Sequence, residues 1–447
     1  MGHVAGSTLV LGSGISGLAT AYYLRRGGSP VTVLEASGQV GGKVTTLEVA
    51  GLPVDVGPDA FLSRGADLRQ LIEDLGLTGD IVEPQTGGSY IWSRGKLRPI
   101  PPGAAFGLPD RLVPLLRSGL LSPLGVARAG FDIVLPATKT NDDPSIADLV
   151  RPRFGDDVYH RMVEPLLGGV HAGDPAQLSA RSTVPEIYAI ASGSRSVYLS
   201  MRKRPKPTGK RQAPLVSLRG GMGRLTQALA REVDVRLNTP ATTLERTADG
   251  WRVNDLTADH VVLATPAYVT AELLRATAPE LANELQIPYV DVANATLAFR
   301  PSDVPALPLG TGFLVPPIER EFIVGCSWLT NKWPHLVNDD VVLIKCMVGR
   351  AGDRRWLPMS DAEIVEGVRD GLARILGIDA EPQETLVQRW PRAMPQYVVG
   401  HAERLSRIDR LTPPGLHLTG AAYRGAGLAA CTTGAVATAT SIQGAPT

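Results

Sequence analysis

Missing from this chain are an excess charge of one sign, clustered histidines, a regular cysteine spacing and any long uncharged apolar run. The 45 Lys+Arg and 44 Asp+Glu leave a formal charge of +1. That balance lacks the basic excess that counterion release from nucleic acid requires, so nucleic acid is not an expected partner. Cys326, Cys346 and Cys431 show neither close pairing nor metal-ligand spacing, and their odd number argues against a disulfide framework. A reducing cytoplasm is the simplest compartment. The 7 histidines are scattered singly, without His-x-x-x-His or Glu-x-x-His, so no intrinsic metal site is expected. No uncharged stretch that is also apolar throughout is long enough to span a bilayer, and Met1 to Ser7 carries no positive region of a signal peptide. Gly6 stands where a myristoylation signal has Ser or Thr.

What is present begins with size: 447 residues exceed one ordinary core, so two or three domains are expected. Residues 8–35 read as strand, glycine turn, helix and strand, a single βαβ unit. Residues 99–135 are apolar and punctuated by proline, which predicts short helices joined by turns, with a helical part beginning near residue 96. Residues 201–212 form a basic run rich in turn formers, read as a solvated connection. Strand patterns return at 233–237, 260–264 and 415–420, and a small-residue helix follows from about Ala430.

Gly12-Ser13-Gly14-Ile15-Ser16-Gly17 opens a helix directly after a strand. Such a turn lets backbone approach a pyrophosphate while the helix N-terminus stabilises its charge. A glycine turn that binds nothing has the same pattern, but Glu35 ends the second strand, where a carboxylate can accept hydrogen bonds from ribose hydroxyls. Gly41-Gly42-Lys43 follows, placing a second turn and a cation within reach of the same pyrophosphate. NAD and FAD share this cradle, so the dinucleotide is open at this point. Tyr423-Arg424-Gly425-Ala426-Gly427-Leu428-Ala429-Ala430 repeats the glycine spacing, but with too little chain after it for a second βαβ unit. Its better use is a helix N-terminus aimed at an isoalloxazine ring, which carries negative charge near N1 and C2=O when reduced. With one complete dinucleotide site there is no seat for NAD(P)H. Electrons then enter from an organic substrate, as in an oxidase or desaturase.

The fingerprint with Glu35 and Gly41-Gly42-Lys43 resembles the flavin amine oxidase superfamily. Three further segments, residues 164–175, 395–401 and 423–427, narrow the resemblance to bacterial coproporphyrinogen III and protoporphyrinogen oxidases, over nearly the whole chain. The resemblance implies an α/β fold: a discontinuous Rossmann-type FAD-binding domain (residues 1–62, 214–272 and 403–447), a mixed-sheet substrate domain (63–95, 195–213 and 273–402) and a mainly helical domain (96–194). It implies oxidation of a porphyrinogen to a porphyrin in three two-electron steps, hydride passing from a meso carbon to flavin N5 and oxygen returning hydrogen peroxide. Coproporphyrinogen III is favoured over protoporphyrinogen IX, because members without a membrane anchor resemble the former enzymes. Peripheral membrane contact by the helical domain and a transfer contact with the next haem-pathway enzyme are left open.

Carried over by position, Gly12, Gly14, Ile15, Ser16, Gly17, Glu35 and Ala36 match the ADP-binding residues, and Gly42 with Lys43 the pyrophosphate turn. Gly57-Pro58 matches the turn beneath the flavin. Ala241 stands where the family usually has Val contacting adenine through its backbone, and Gly420, Gly427 and Leu428 match the flavin loop. Ala421-Ala422 and Ala429-Ala430 depart from the family pattern there. Trp390, placed with the cofactor residues, and Tyr397 are candidate walls for the macrocycle, although aromatics beside proline also serve as core. Arg64 and Lys332 are candidate cations for the propionates, or else ordinary surface charges. No catalytic base is assigned, since pyrrole N–H protons can leave to solvent. A flavin amine oxidase, a carotenoid desaturase and a non-catalytic porphyrin carrier are the competing readings.

Overall fold

The computed structural model describes residues 6–85, 87–104, 106–136, 142–203 and 213–444. Most of the basic run, residues 204–212, lies outside them, as do residues 1–5. Strand β1 (Thr8–Leu11) is buried at every position, the pattern of a strand covered on both faces of a parallel sheet. It pairs in parallel with β2 (Val31–Leu34) on one side and with His260–Leu263 on the other. Asp234–Arg236 joins outside β2, and Leu416–Leu418 outside His260–Leu263, to give a 5-stranded sheet among the described residues. All five strands fall within a residue or two of where the sequence pattern puts them.

Helix α1 (Ile15–Arg26) and the C-terminal helix Leu428–Gln443 pack together over one face of this sheet. Ala435 and Ala439 are buried in that contact, as small residues permit. Leu18, Val10, Val33, Val262 and Leu225 fill the core between helices and sheet. On the opposite face Leu9, Leu11, Val261 and Leu263 pack with Ala267, Ala271 and Leu274 of the helix Ala267–Leu274.

A second, 7-stranded sheet runs in the order Glu384–Pro395, Tyr289–Phe299, Val342–Val348, Ile323–Trp328, Gly310–Leu314, Gly88–Ser93, Lys96–Pro99. It is mixed: Gly310–Leu314 pairs in parallel with Gly88–Ser93, and the other neighbours are antiparallel. Helix Asp361–Leu376, started by a Ser360 and Glu363 capping box, packs its buried Ile364, Val368 and Leu372 into the same core. Cys326 and Cys346 lie directly opposite one another on two of these strands, as buried free thiols. Sequence spacing hid this neighbourhood, since register brings together residues far apart in the chain.

Sheet pairing continues to Pro99, and the helical part starts at Leu112–Ser118 and Pro123–Gly130. Its core holds an Arg153 to Asp132 ion pair at 3.0 Å with both side chains buried. Among the described residues no helix is long and apolar enough to cross a membrane.

Candidate active site

Where β1 ends, Gly12 turns the chain at φ +101°, and its N–H donates to Leu34 O at 2.8 Å. A Cβ on Gly17 would fall 2.0 Å from Gly12 O, so α1 can approach the turn this closely only with glycine there. Gly14 differs, because a Cβ on it would meet nothing within 4 Å. It is the N-cap of α1 and supplies no side-chain cap, so first-turn N–H groups, those of Ile15 and Ser16 among them, face an approachable surface. Gly41 bridges Gly14 and donates to Ser13 O at 2.9 Å, which docks Gly42 and Lys43 against the same turn.

Glu35 is half-buried beside this turn. Its Oε2 accepts from Ser13 N–H (2.8 Å) and Ser13 Oγ (2.7 Å), and its Oε1 from Ser37 N–H and Ser37 Oγ, both at 2.8 Å. Burial pushes the carboxyl pKa up, but these hydrogen bonds outweigh it and hold the group below its ordinary value. Glu35 is therefore ionised and oriented. Ser37 Oγ also lies 2.8 Å from Gln39 O, so that hydroxyl has another acceptor if a ribose takes its place. Thr239 N–H donates to Glu35 O at 2.8 Å and brings the chain toward the half-buried Ala241, while Ala36 is exposed. Ser13 and Ser37 are the residues that sequence reasoning missed here. A serine inside the glycine turn and another two residues after the acidic strand end were the available signal.

Lys43 is half-buried, and its Nζ donates to Ala393 O at 2.5 Å. Burial lowers its pKa, partly opposed by Cys431, and among the described residues no carboxylate pairs with it. Cys431 lies in the first turn of Leu428–Gln443, near Ser16. Two uncapped helix starts and a half-buried cation thus converge. Burial pushes the Cys431 thiol up, which makes it a poor nucleophile for covalent attachment of a cofactor.

The Gly57-Pro58 turn rests on side chains from the second sheet. Trp390 Nε1 and Asn294 Nδ2 both donate to Val56 O, at 2.9 and 2.8 Å, and Lys345 Nζ donates to Asp55 O at 2.9 Å. Burial pushes the Asp55 carboxyl up to about 6 against donation from Thr46 and Met222. Lys332 ties to Asp59 at 2.9 Å. Burial raises the Asp59 pKa, but Lys332 and Lys345 more than offset this and hold it low. The structure thus places Lys332 in an ion pair beside the turn, already committed to Asp59. Arg64 is exposed and has no ion pair among the described residues.

Tyr397 is also committed. Its hydroxyl donates to Ala421 O at 2.6 Å and accepts from Gly425 N–H at 2.9 Å, and its ring stacks on His401 at 4.2 Å. It brackets the loop leading to Gly427 and presents little surface to a macrocycle, being 5% exposed. Tyr397→Phe leaves two loop groups unpaired and is expected to cost about 1–3 kcal/mol of stability and to speed cofactor release. Equal melting temperatures and equal release rates in the two proteins would remove the bracket.

The three segments singled out in the sequence meet here. Gln396 Nε2 donates to His171 O at 3.0 Å, Val399 N–H to Gln177 O at 3.0 Å, and Leu178 bridges Val398. Through Tyr397, residues 395–401 join residues 164–175, with the adjoining Gln177 and Leu178, to the glycine loop. An oriented carboxylate, an approachable glycine turn, a half-buried cation without a carboxylate partner and a second uncapped helix fit a dinucleotide.

Comparison with known proteins agrees with this reading. A family profile described as flavin containing amine oxidoreductase matches residues 15–442. The chain is 34% identical to the coproporphyrinogen III oxidase of Bacillus subtilis, with 95% of each chain covered. It is 33% identical to that of Mycobacterium tuberculosis H37Rv, covering 98% of this chain and 97% of the relative. A crystal structure from Exiguobacterium sp. 255-15, which carries the provisional name protoporphyrinogen oxidase, overlays with a TM-score of 0.87 at 30% identity over 99% of both chains.

Proposed function

The chain belongs to the flavin-containing amine oxidoreductase family and its coproporphyrinogen III and protoporphyrinogen oxidase branch, is an FAD-dependent enzyme, and on that premise we propose that it oxidises coproporphyrinogen III to coproporphyrin III in haem biosynthesis. Molecular oxygen is the terminal acceptor and hydrogen peroxide the second product. The observation that carries this reading is the convergence of residues 164–175, 395–401 and 423–427 around one glycine loop. Cytoplasmic location, the three-domain division, any peripheral membrane contact and transfer of product to the next haem-pathway enzyme belong to the same proposal.

FAD, when bound, supplies the acceptor for each hydride leaving the substrate. The chain's own residues position and exclude. Glu35 holds the ribose, with Ala36 and the Ala241 backbone beside it. The α1 turn from Gly12 to Gly17, together with Gly42, receives the pyrophosphate. The Leu428–Gln443 N-terminus stabilises negative charge by roughly 0.3–2 kcal/mol. Gly57-Pro58 and Trp390 form a platform fixed through Val56 O, and Gly420 and Gly427 border the ring. Protons from pyrrole nitrogens leave to solvent, so no side chain is assigned as base.

Purified holoenzyme is expected to convert colourless coproporphyrinogen III to fluorescent coproporphyrin III with matching oxygen uptake. Turnover confined to protoporphyrinogen IX would overturn the substrate. Anaerobic mixing that leaves the flavin oxidised would make the protein a carrier.

A further inference from the structure

A cavity of about 470 Å³ lies behind residues 164–175, lined by Glu164, Asp174, Arg320, Arg350, Asp353 and Arg355 among others. Its volume is that of a small-molecule site. The charges around it are unevenly committed. Asp353 pairs with Arg355, through Oδ1 to Nε at 2.9 Å and Oδ2 to Nη2 at 2.8 Å. Glu164 pairs with His160 at 2.9 Å, and Asp174 accepts from Ala176 N–H at 2.9 Å and from Gln177 Nε2 at 3.3 Å. Each lining carboxylate is thereby engaged.

Two arginines are not. Arg350 is 9% exposed and makes one side-chain hydrogen bond, Nη1 to Val315 O at 3.2 Å, with no carboxylate in ion-pair reach among the described residues. Burial lowers its pKa, and Asp353 and Glu164 oppose this only from a distance, so the guanidinium is held out of water with less than a full ion pair in return. Arg320 is exposed on the rim, in a left-handed conformation at φ +57°, and makes no ion pair among the described residues. A buried guanidinium with unused donors beside a second free one is a receptor for a carboxylate, the anion whose planar fork it matches.

The cavity is also joined to the flavin side. Ala351, next to Arg350, donates to Ala172 O at 2.7 Å. Ala172 packs against Ala393, whose carbonyl holds the Lys43 ammonium. We propose that this cavity is a carboxylate subsite of the porphyrinogen site, in which Arg350, assisted by Arg320, holds one propionate arm of the macrocycle. The inference rests on the porphyrinogen reading above and adds to it the residues that read the acidic side chains.

The test uses FAD-loaded protein and two probes of the same ring, coproporphyrin III and its uncharged tetramethyl ester, with binding followed by quenching of porphyrin fluorescence. Wild type is expected to favour the acid. Arg350→Gln should weaken acid binding by about tenfold or more and leave the ester unchanged. Arg320→Asn, which suits the left-handed rim position and so preserves the fold, should weaken the acid by roughly threefold. Both variants binding the acid as wild type does would overturn the subsite while leaving the function standing. Equal loss for acid and ester in Arg350→Gln would also overturn it. A wild type that neither binds coproporphyrin III nor oxidises its porphyrinogen would remove the function itself.

Discussion

Gly17→Ala is expected to lose FAD and stability together, whereas Gly14→Ala loses FAD affinity and keeps its fold. A Cβ at position 17 would sit 2.0 Å from Gly12 O, a backbone atom anchored through the Gly12 N–H bond to Leu34. Neither partner can rotate away, so α1 must shift off the sheet, at a cost of about 3 kcal/mol. The same shift moves the Gly14 N-cap and its first-turn N–H groups out of line. At position 14 the added methyl meets nothing within 4 Å, and Gly14 has φ −67°, ψ 172°, a conformation open to alanine. Its cost to the apoprotein is about 0.5–1 kcal/mol, the difference between glycine and alanine at an N-cap. The methyl nonetheless stands where a pyrophosphate must touch the backbone, so FAD binding should weaken roughly tenfold to a hundredfold, the worth of one charge-assisted hydrogen bond. Melting curves of the two apoproteins and FAD titrations decide it. A Gly14→Ala protein that binds FAD as tightly as wild type would move the pyrophosphate elsewhere.

The glycine turn was legible in the sequence because its requirement is local: spacing, the strand before it and the carboxylate at the end of the next strand all lie within residues 8–35. The five parallel strands were legible for the same reason, since burial on both faces writes a short apolar run for each. What the sequence did not show depends on which side chains the two sheets bring together. Lys332 looked like a free cation until the fold set it against Asp59, and Tyr397 looked like a wall until its hydroxyl proved to hold Ala421 and Gly425. Lys43 was expected near the pyrophosphate, and the sequence did not show that its ammonium also reaches Ala393 O, 350 residues further along the chain. Arg350 gave no signal at all. One arginine in a strand-and-turn segment is unremarkable until burial without a carboxylate partner gives it a task.

Lys43→Met is expected to change the apoprotein and the holoenzyme in opposite directions. In the apoprotein the ammonium has Ala393 O and no carboxylate, so it pays for desolvation with little return. Methionine has similar length and no charge, and the apoprotein should gain about 1 kcal/mol or more. With FAD bound, the same cation faces an anionic cofactor and the first turns of two helices, and its removal should weaken binding by roughly 1.5–3 kcal/mol. The sign of the pH dependence follows from the lowered pKa. As pH rises from the depressed value of the folded state toward the ordinary 10.5, the unfolded chain holds the extra proton. Stability of the wild-type apoprotein therefore increases with pH across that window, and below the window, where both states hold the proton, Lys43 contributes a constant destabilisation. Lys43→Met removes this contribution to the slope. Melting temperatures of both apoproteins across the alkaline range, set beside their FAD affinities, test the argument. A variant apoprotein less stable than wild type at neutral pH, with unchanged affinity for FAD, would show that Lys43 serves the fold and not the cofactor.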